Sequence, residues 1–154
     1  MTRVAAIGLL TGWGEGVSAL PDDAGAAAAG RRVVAIDRPA MSGERFRRAT
    51  RECLLGVAAV EAMLRDAGIS RSDLAGEQTG LVYVTAAAYG ASNRSFLDSA
   101  GGTLHFPYTA PSAVPAEVAI EFALRGPYVI LIGGATATVD GLWQADALLA
   151  RRAG

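Results

Sequence analysis

Apolar residues form several short continuous runs along the chain, and each is followed by glycine, proline or small residues. The runs at residues 4–10, Leu81–Thr85 and Tyr128–Ile132 are typical of strands buried on both faces of a parallel sheet. Residues 33–36 predict a further short strand before Pro39. Residues 18–32, 70–77 and 92–111 show no sustained period, which predicts loops, a polar turn and a mixed segment.

A helical period dominates three other segments. The strongest begins near Gly43 and ends at Gly68, a natural C-terminal stop. Its apolar positions recur at spacings of three and four residues: Phe46, Ala49, Cys53, Val57, Val60 and Leu64. Further helices are expected at residues 112–124, with Pro115 in the first turn, and at residues 138–152. This alternation predicts an α/β fold, with helices layered on a mostly parallel sheet, in one domain of residues 1–154.

Composition and charge narrow the classes of function. The chain is 51% hydrophobic with a net charge of −1, so no global field favours nucleic acid or an anionic membrane. All fourteen basic residues are arginine, which excludes a lysine base or Schiff base. The single cysteine, Cys53, allows no internal disulfide or multi-cysteine zinc site, and a reducing cytoplasm is the default expectation. The run at residues 4–10 is too short to span a membrane. No metal or other cofactor is predicted.

Several segments, in this order, resemble the N-terminal half of a β-ketoacyl synthase. They are Val4-Ala5-Ala6-Ile7-Gly8-Leu9-Leu10-Thr11 with Gly14, the helix ending in Asp66-Ala67-Gly68, the strand Leu81–Thr85 with its small-residue exit, and Leu124-Arg125-Gly126-Pro127 before an apolar strand, a tight turn and a helix. The resemblance covers nearly the whole chain. It implies a thiolase-like N-terminal half.

The same resemblance places the family's nucleophilic cysteine at Ala135, where no nucleophile is present. The hydroxyls of Thr136 and Thr138 have no evident base beside them and are interpreted as turn or cap groups. The family's two histidines lie in its C-terminal half, and the only histidine here, His105, matches neither. Cys53 lies on an apolar helix stripe and is interpreted as a small buried hydrophobe. The resemblance therefore implies no catalytic residue.

The resulting hypothesis is a non-catalytic, chain-length-factor-like subunit of fatty-acid or polyketide-type biosynthesis. It would pair with a cysteine-bearing ketosynthase as a heterodimer and meet an acyl carrier protein. The interface candidates that the resemblance suggests are Tyr128, Ile130, Ile132 and Phe122. Two alternatives stay open. The chain could be an active component of a 3-oxoacyl-[acyl-carrier-protein] synthase, which is an acyltransferase, with the missing groups supplied by another chain. It could also be a decayed fragment.

Two further patterns each have a functional and a plain interpretation. Gly12-Trp13-Gly14-Glu15-Gly16 suggests a dinucleotide-binding loop, but Trp13 and Val17 depart from that fingerprint, and a glycine-rich turn is favoured. A run of arginines suggests a docking face for an acidic carrier protein, with Arg45 and Arg48 as candidates. The plain interpretation is a solvated helix face whose arginines pair with Glu44 and Glu52.

Overall fold

The computed structural model describes residues 3–86, 88–98 and 106–152, which fall into two compact units. One unit comprises residues 4–70, and the other comprises the described residues from Arg71 onward together with Arg3. The single domain expected from the sequence stays a prediction, and each unit is described by itself.

The N-terminal unit is built around one long helix. Its elements are β1 (Leu10–Thr11), β2 (Gly14–Glu15), a 3₁₀ turn (Val17–Ala19), α1 (Ala24–Ala28), a second 3₁₀ turn (Glu44–Arg47) and α2 (Arg51–Ala67). Thr50 caps α2, because its Oγ1 accepts a hydrogen bond from the Cys53 amide at 3.3 Å. Gly68 ends the helix in a left-handed conformation, with φ of 64°. The predicted helix therefore exists but starts later, since the cap residue Thr50 is extended.

Two strands expected in this unit are absent from its described residues. The only pairing of the first apolar run is a short antiparallel one, Leu10 with Glu15 and Thr11 with Gly14. The rest of that run lies against α2, and a Cβ at Gly8 would approach Met63 N to 2.7 Å. Residues 33–36 form no strand either, and the Ile36 carbonyl accepts a hydrogen bond from Arg51 Nε at 3.0 Å. An apolar run becomes a strand only where another strand is available to pair with it.

The C-terminal unit is a small parallel α/β arrangement. Its elements are α3 (Arg71–Leu74), β3 (Leu81–Thr85), α4 (Ala88–Asp98), a 3₁₀ turn (Phe106–Thr109), α5 (Ala113–Glu121), β4 (Tyr128–Ile132) and α6 (Ala137–Arg152). Strands β3 and β4 pair in parallel from Leu81–Tyr128 to Thr85–Ile132, as the sequence predicts. Helices α5 and α6 also confirm the prediction, whereas α4 forms in the segment expected to be mixed.

Helix α6 lies unusually close to the sheet because Gly141 has no side chain. A Cβ at that position would lie 2.5 Å from Val84 Cγ2 and 3.9 Å from both Leu131 Cδ1 and Val82 Cγ1. Val82, Val84 and Leu131 belong to one face of the sheet, because side chains alternate along a strand. Helix α6 therefore covers that face, and the C-terminal unit is an α/β arrangement built on a parallel pair of strands.

Candidate functional site

The connection between β4 and α6 is a tight strand-to-helix elbow. The Gly133 amide donates to the Thr85 carbonyl at 3.1 Å, which holds the exit of β4 at the carboxyl end of β3. A Cβ at Gly133 would lie 2.9 Å from the Cβ of Ala137, so a larger residue would collide with the first turn of the helix. The elbow therefore presents residues 134–136 at the carboxyl edge of the parallel pair.

The start of α6 is organised by backbone hydrogen bonds around Thr136. Its carbonyl accepts from the amides of Val139 at 2.9 Å and Asp140 at 3.1 Å, and the Gly134 carbonyl accepts from Ala137 at 3.1 Å. The N-terminus of a sixteen-residue helix thus lies directly beside the elbow. Amides at such a terminus favour negative charge and would support an anion or a thiolate there.

The side chains at this elbow carry no group able to attack a thioester. Ala135 is exposed and presents only a methyl group. Thr136 and Thr138 are exposed as well, and residues 133–138 contain no acid or base that could activate their hydroxyls. The exposed side chains of this elbow are therefore one methyl group and two threonine hydroxyls.

The one thiol of the chain lies in the interior of the N-terminal unit. Cys53 is fully buried in the first turn of α2, on the apolar stripe that the sequence indicates. The hydroxyl of Thr50 donates to its sulfur at 3.3 Å. The thiol is thus held as a packed, hydrogen-bonded group. His105 lies outside the described residues.

The structure divides the four candidate interface residues. Tyr128, Ile130 and Ile132 share the sheet face opposite α6, and Tyr128 and Ile132 are 43% and 51% exposed. Phe122 is 2% exposed, with the Arg71 guanidinium 5.2 Å from its ring centroid, so it belongs to the interior and is not available to a partner. It follows the last residue of α5, within the segment 112–124 that the sequence assigns to a helix.

Tyr128 is only partly withdrawn from solvent. Its hydroxyl donates to the Ser112 carbonyl at 3.3 Å. Desolvation raises the pKa of the phenol above the ordinary 10.0, and the charge of Tyr83 adds to the shift. The tyrosine therefore stays neutral through the physiological range.

The arginines around the start of α2 have different roles: some connect the loop to the helix, and others are exposed. Arg38 donates to the Ala49 carbonyl at 2.9 Å, and Arg51 donates to Ile36, so these two connect loop to helix. Arg47 pairs with Glu44 at 2.8 Å, and Arg51 reaches Glu52 only at 4.0 Å. The docking candidates Arg45 and Arg48 are both exposed, and the Arg45 guanidinium lies 4.9 Å from the Phe46 ring centroid.

Gly12-Trp13-Gly14-Glu15-Gly16 is a turn and not a phosphate loop. Its glycines lie in and just after the β1–β2 hairpin, with φ of 137° at Gly14 and 83° at Gly16. A dinucleotide fingerprint requires the glycines to link a strand to the N-terminus of a long helix. Only the three-residue 3₁₀ turn Val17–Ala19 follows here, so the plain interpretation is confirmed.

The described residues offer neither a metal-binding cluster nor a helix that could span a membrane. Within residues 3–86, 88–98 and 106–152 there is no group of three or more histidine, cysteine, aspartate or glutamate side chains that could hold a metal ion. None of the helices in these ranges is long and apolar enough to cross a membrane.

One exposed surface escaped the sequence interpretation. The outer side of α6 presents Val139, Leu142, Trp143 and Leu149, all between 53% and 71% exposed. The spacing of these four residues indicates a helix, but the same spacing would be found if the helix buried them. The contact of Gly141 with the sheet shows that the helix buries another side, the one that contains Gly141.

Comparison with known proteins agrees with this geometry. The profile of the family described as Beta-ketoacyl synthase, N-terminal domain, matches residues 13–148. No curated protein matches the sequence. Among solved structures, the fold is similar to that of a β-ketoacyl synthase from Burkholderia phymatum STM815, with a TM-score of 0.66 at 18% identity. That match covers 96% of this chain and 43% of the other, so the chain spans less than half the length of that synthase.

Proposed function

Since the chain belongs to the family of β-ketoacyl synthase N-terminal domains, we propose that it is a non-catalytic ketosynthase-like subunit. It pairs with an active, cysteine-bearing ketosynthase in fatty-acid or polyketide-type biosynthesis, in the manner of a chain-length factor. Its contribution is a binding surface and not a reacting group.

The observation that carries this proposal is the elbow without a nucleophile. The resemblance to condensing enzymes assigns their cysteine to the position of Ala135, at the start of a helix whose amides would favour a thiolate. Transfer of an acyl group from a carrier thioester to an enzyme requires a nucleophile at the receiving site. The methyl group of Ala135 supplies none, while the strand, the glycine turn and the helix around it are all present.

The contact with the ketosynthase is proposed for the sheet face of β4. Tyr128, Ile130 and Ile132 present a tyrosine and two β-branched side chains, and the outer two are about half exposed. Exposed apolar side chains grouped on one strand face are typical of a surface that a partner covers. The neutral Tyr128 suits such a contact, since its ring is apolar and its hydroxyl already has an acceptor in Ser112.

A docking surface for the carrier protein is proposed on the N-terminal unit. Arg45 and Arg48 are exposed next to the 3₁₀ turn that precedes α2. Guanidinium groups bind carboxylates and phosphates with high directionality, and an acidic carrier protein would offer them. This contact would steer association without requiring a catalytic group.

Co-expression with cysteine-bearing ketosynthases of the same organism tests the proposal. Native mass spectrometry should detect a one-to-one heterodimer. Ile132→Glu should weaken that complex at least tenfold, because it places a charge in the apolar contact. Ile120→Glu is the matched control, since Ile120 is also exposed but lies on α5; it should leave the complex within twofold of wild type. A chain that stays monomeric, or forms only homodimers, would contradict the proposal.

Acyl transfer provides an independent test. Incubation with acyl carrier thioesters should leave the mass of this chain unchanged. A stable acyl adduct on the chain would instead support a condensing component completed by another chain.

A further inference from the structure

A small hollow lies between helix α6 and the sheet of the C-terminal unit. Its volume is about 160 Å³, and its lining includes Gly80, Val82, Pro127, Ala145, Leu148 and Leu149. All of these residues belong to the C-terminal unit, so the hollow lies within that unit. Leu149 is 53% exposed and marks the mouth of the hollow.

The hollow forms where small residues of the helix and of the strand side face each other. At Gly141 the helix lies so close to the sheet that a Cβ would be 2.5 Å from Val84 Cγ2. At 100° per residue, Ala145 and Leu148 lie within about 40° of Gly141 around the helix, so they face the sheet as well. Across the hollow from them is Gly80, which has no side chain. Gly80 and Ala145 therefore leave a gap that larger side chains would fill.

The walls of the hollow offer little to water. Val82, Pro127 and Leu148 are apolar, and none of the described residues that line the hollow is charged. The backbone beside its floor is already paired, since the Leu81 amide donates to the Pro127 carbonyl at 2.8 Å. Among these lining residues, only the exposed Gln78 has a side chain that forms hydrogen bonds. A buried water needs roughly two to four polar partners, so the hollow favours an apolar occupant over water.

The size of the hollow selects a small molecule. An apolar cavity of about 150 Å³ stays dry and accepts a ligand of the size of benzene. A protein partner contributes roughly 800 Å² to a standard interface, far more than this hollow provides. We infer that the hollow is a binding site for a small, uncharged, apolar molecule of about six or seven heavy atoms, such as a single aromatic ring. The site shares no residue with the elbow or with the exposed face of β4, and the inference does not depend on the proposed function.

An NMR titration with toluene tests the site without any substitution. The valine and leucine methyl groups of the chain are labelled with carbon-13. Toluene should bind with a dissociation constant of about 0.1–1 mM, as expected for a ligand of this size. Its protons should show nuclear Overhauser effects to the methyl groups of Val82 and Leu148, and none to Val17, which is exposed in the N-terminal unit. Benzylamine, which carries a charge on the same ring, should bind at least tenfold more weakly, because no lining carboxylate compensates the burial of the charge.

Filling the hollow gives the second test. Ala145→Leu places a larger side chain in the hollow and should weaken toluene binding at least tenfold. Ala150→Leu adds the same atoms at an exposed position of α6 and should leave the affinity within twofold of wild type. Circular dichroism verifies that both variants keep the fold.

Three results would overturn the inference. Toluene could fail to bind, it could bind without contacts to Val82 and Leu148, or it could bind equally well to Ala145→Leu and to wild type. Methyl signals of Val82 and Leu148 that respond to an added ketosynthase and not to toluene would identify a protein as the occupant, and would overturn the inference as well.

Discussion

The Gly133 amide donates a hydrogen bond to the Thr85 carbonyl at 3.1 Å, which joins the carboxyl ends of β3 and β4. This bond sets the direction in which the chain leaves β4 and begins α6. The elbow is therefore fixed by backbone geometry and does not depend on the side chain at position 135. A nucleophile can be absent from such an elbow without loss of the scaffold.

The close approach of α6 to the sheet predicts a large cost for a side chain at Gly141. Gly141→Val should lower the free energy of unfolding by about 1–3 kcal/mol, since the added atoms overlap Val84. Urea unfolding measures the change. Gly134→Ala is the control, because a Cβ at Gly134 has no neighbour within 4 Å among the described residues. Equal losses in the two variants would contradict the packing described for α6.

The interior position of Phe122 predicts that it acts in stability. Phe122→Ala should lower the free energy of unfolding by about 3–5 kcal/mol, as for large buried aromatic residues. Ile120→Ala, at an exposed position of α5 two residues before Phe122, should change it by less than about 0.5 kcal/mol. Calorimetry or urea unfolding measures the free energy of unfolding of both variants. A small change for Phe122→Ala would contradict its interior position and make Phe122 an interface candidate again.

A thiol placed at the elbow should be activated by the helix. Ala135→Cys is expected to form a thiolate at lower pH than a free cysteine, because the N-terminus of α6 stabilises negative charge. Ala150→Cys, exposed near the C-terminal end of the same helix, is the control and should react only at higher pH. The rate at which each cysteine is alkylated is measured as a function of pH by mass spectrometry of the modified peptides. Identical profiles would show that the elbow provides no electrostatic support.

The environment of Tyr128 predicts a titration above that of a free tyrosine. Burial raises its folded pKa above 10.0, so the folded state holds the phenolic proton more tightly than the unfolded chain does. The resulting stabilisation is present below the unfolded pKa and is lost as the pH rises from about 10 through the folded pKa. The difference in ultraviolet absorbance between wild type and Tyr128→Phe, followed against pH, gives the titration of the Tyr128 phenol. The rise in its pKa should vanish in concentrated urea. Ionisation at or below the free value would contradict the burial.

Carrier docking on the N-terminal unit predicts a charge-dependent affinity. The double variant Arg45→Glu/Arg48→Glu should weaken binding of an acidic acyl carrier protein at least tenfold at low salt, and added salt should reduce the difference. Arg94→Glu/Arg125→Glu makes the same change in charge at exposed positions of the other unit. Isothermal titration calorimetry measures the affinity of both double variants for the carrier protein. Equal losses of affinity would show that net charge, and not the position of Arg45 and Arg48, determines binding.

The sequence predicts the strands of the C-terminal unit well, because the residues that identify them are neighbours in the chain. An apolar run of strand length, bounded by Gly126-Pro127 and by Gly133-Gly134, identifies β4 and the elbow after it. The period of α2 and the stop at Gly68 likewise follow from neighbouring residues.

The missed elements depend on contacts that no local pattern contains. Residues 4–9 and 33–36 have the composition of strands but no pairing strand among the described residues of their unit. Helix α4 consists mostly of small and polar residues, which are as common in loops as in helices. The inner and outer sides of α6 are both apolar, so its sequence indicates a helix without showing which side remains exposed.

The central claim is tested most directly by locating the acyl group in the assembled pair. This chain and a cysteine-bearing ketosynthase are incubated together with an acyl carrier thioester, and the masses of the intact complex and of its separated subunits are measured by mass spectrometry. A one-to-one complex is expected, with the acyl mass on the ketosynthase and none on this chain. An acyl adduct on this chain, or two proteins that never associate, would contradict the account.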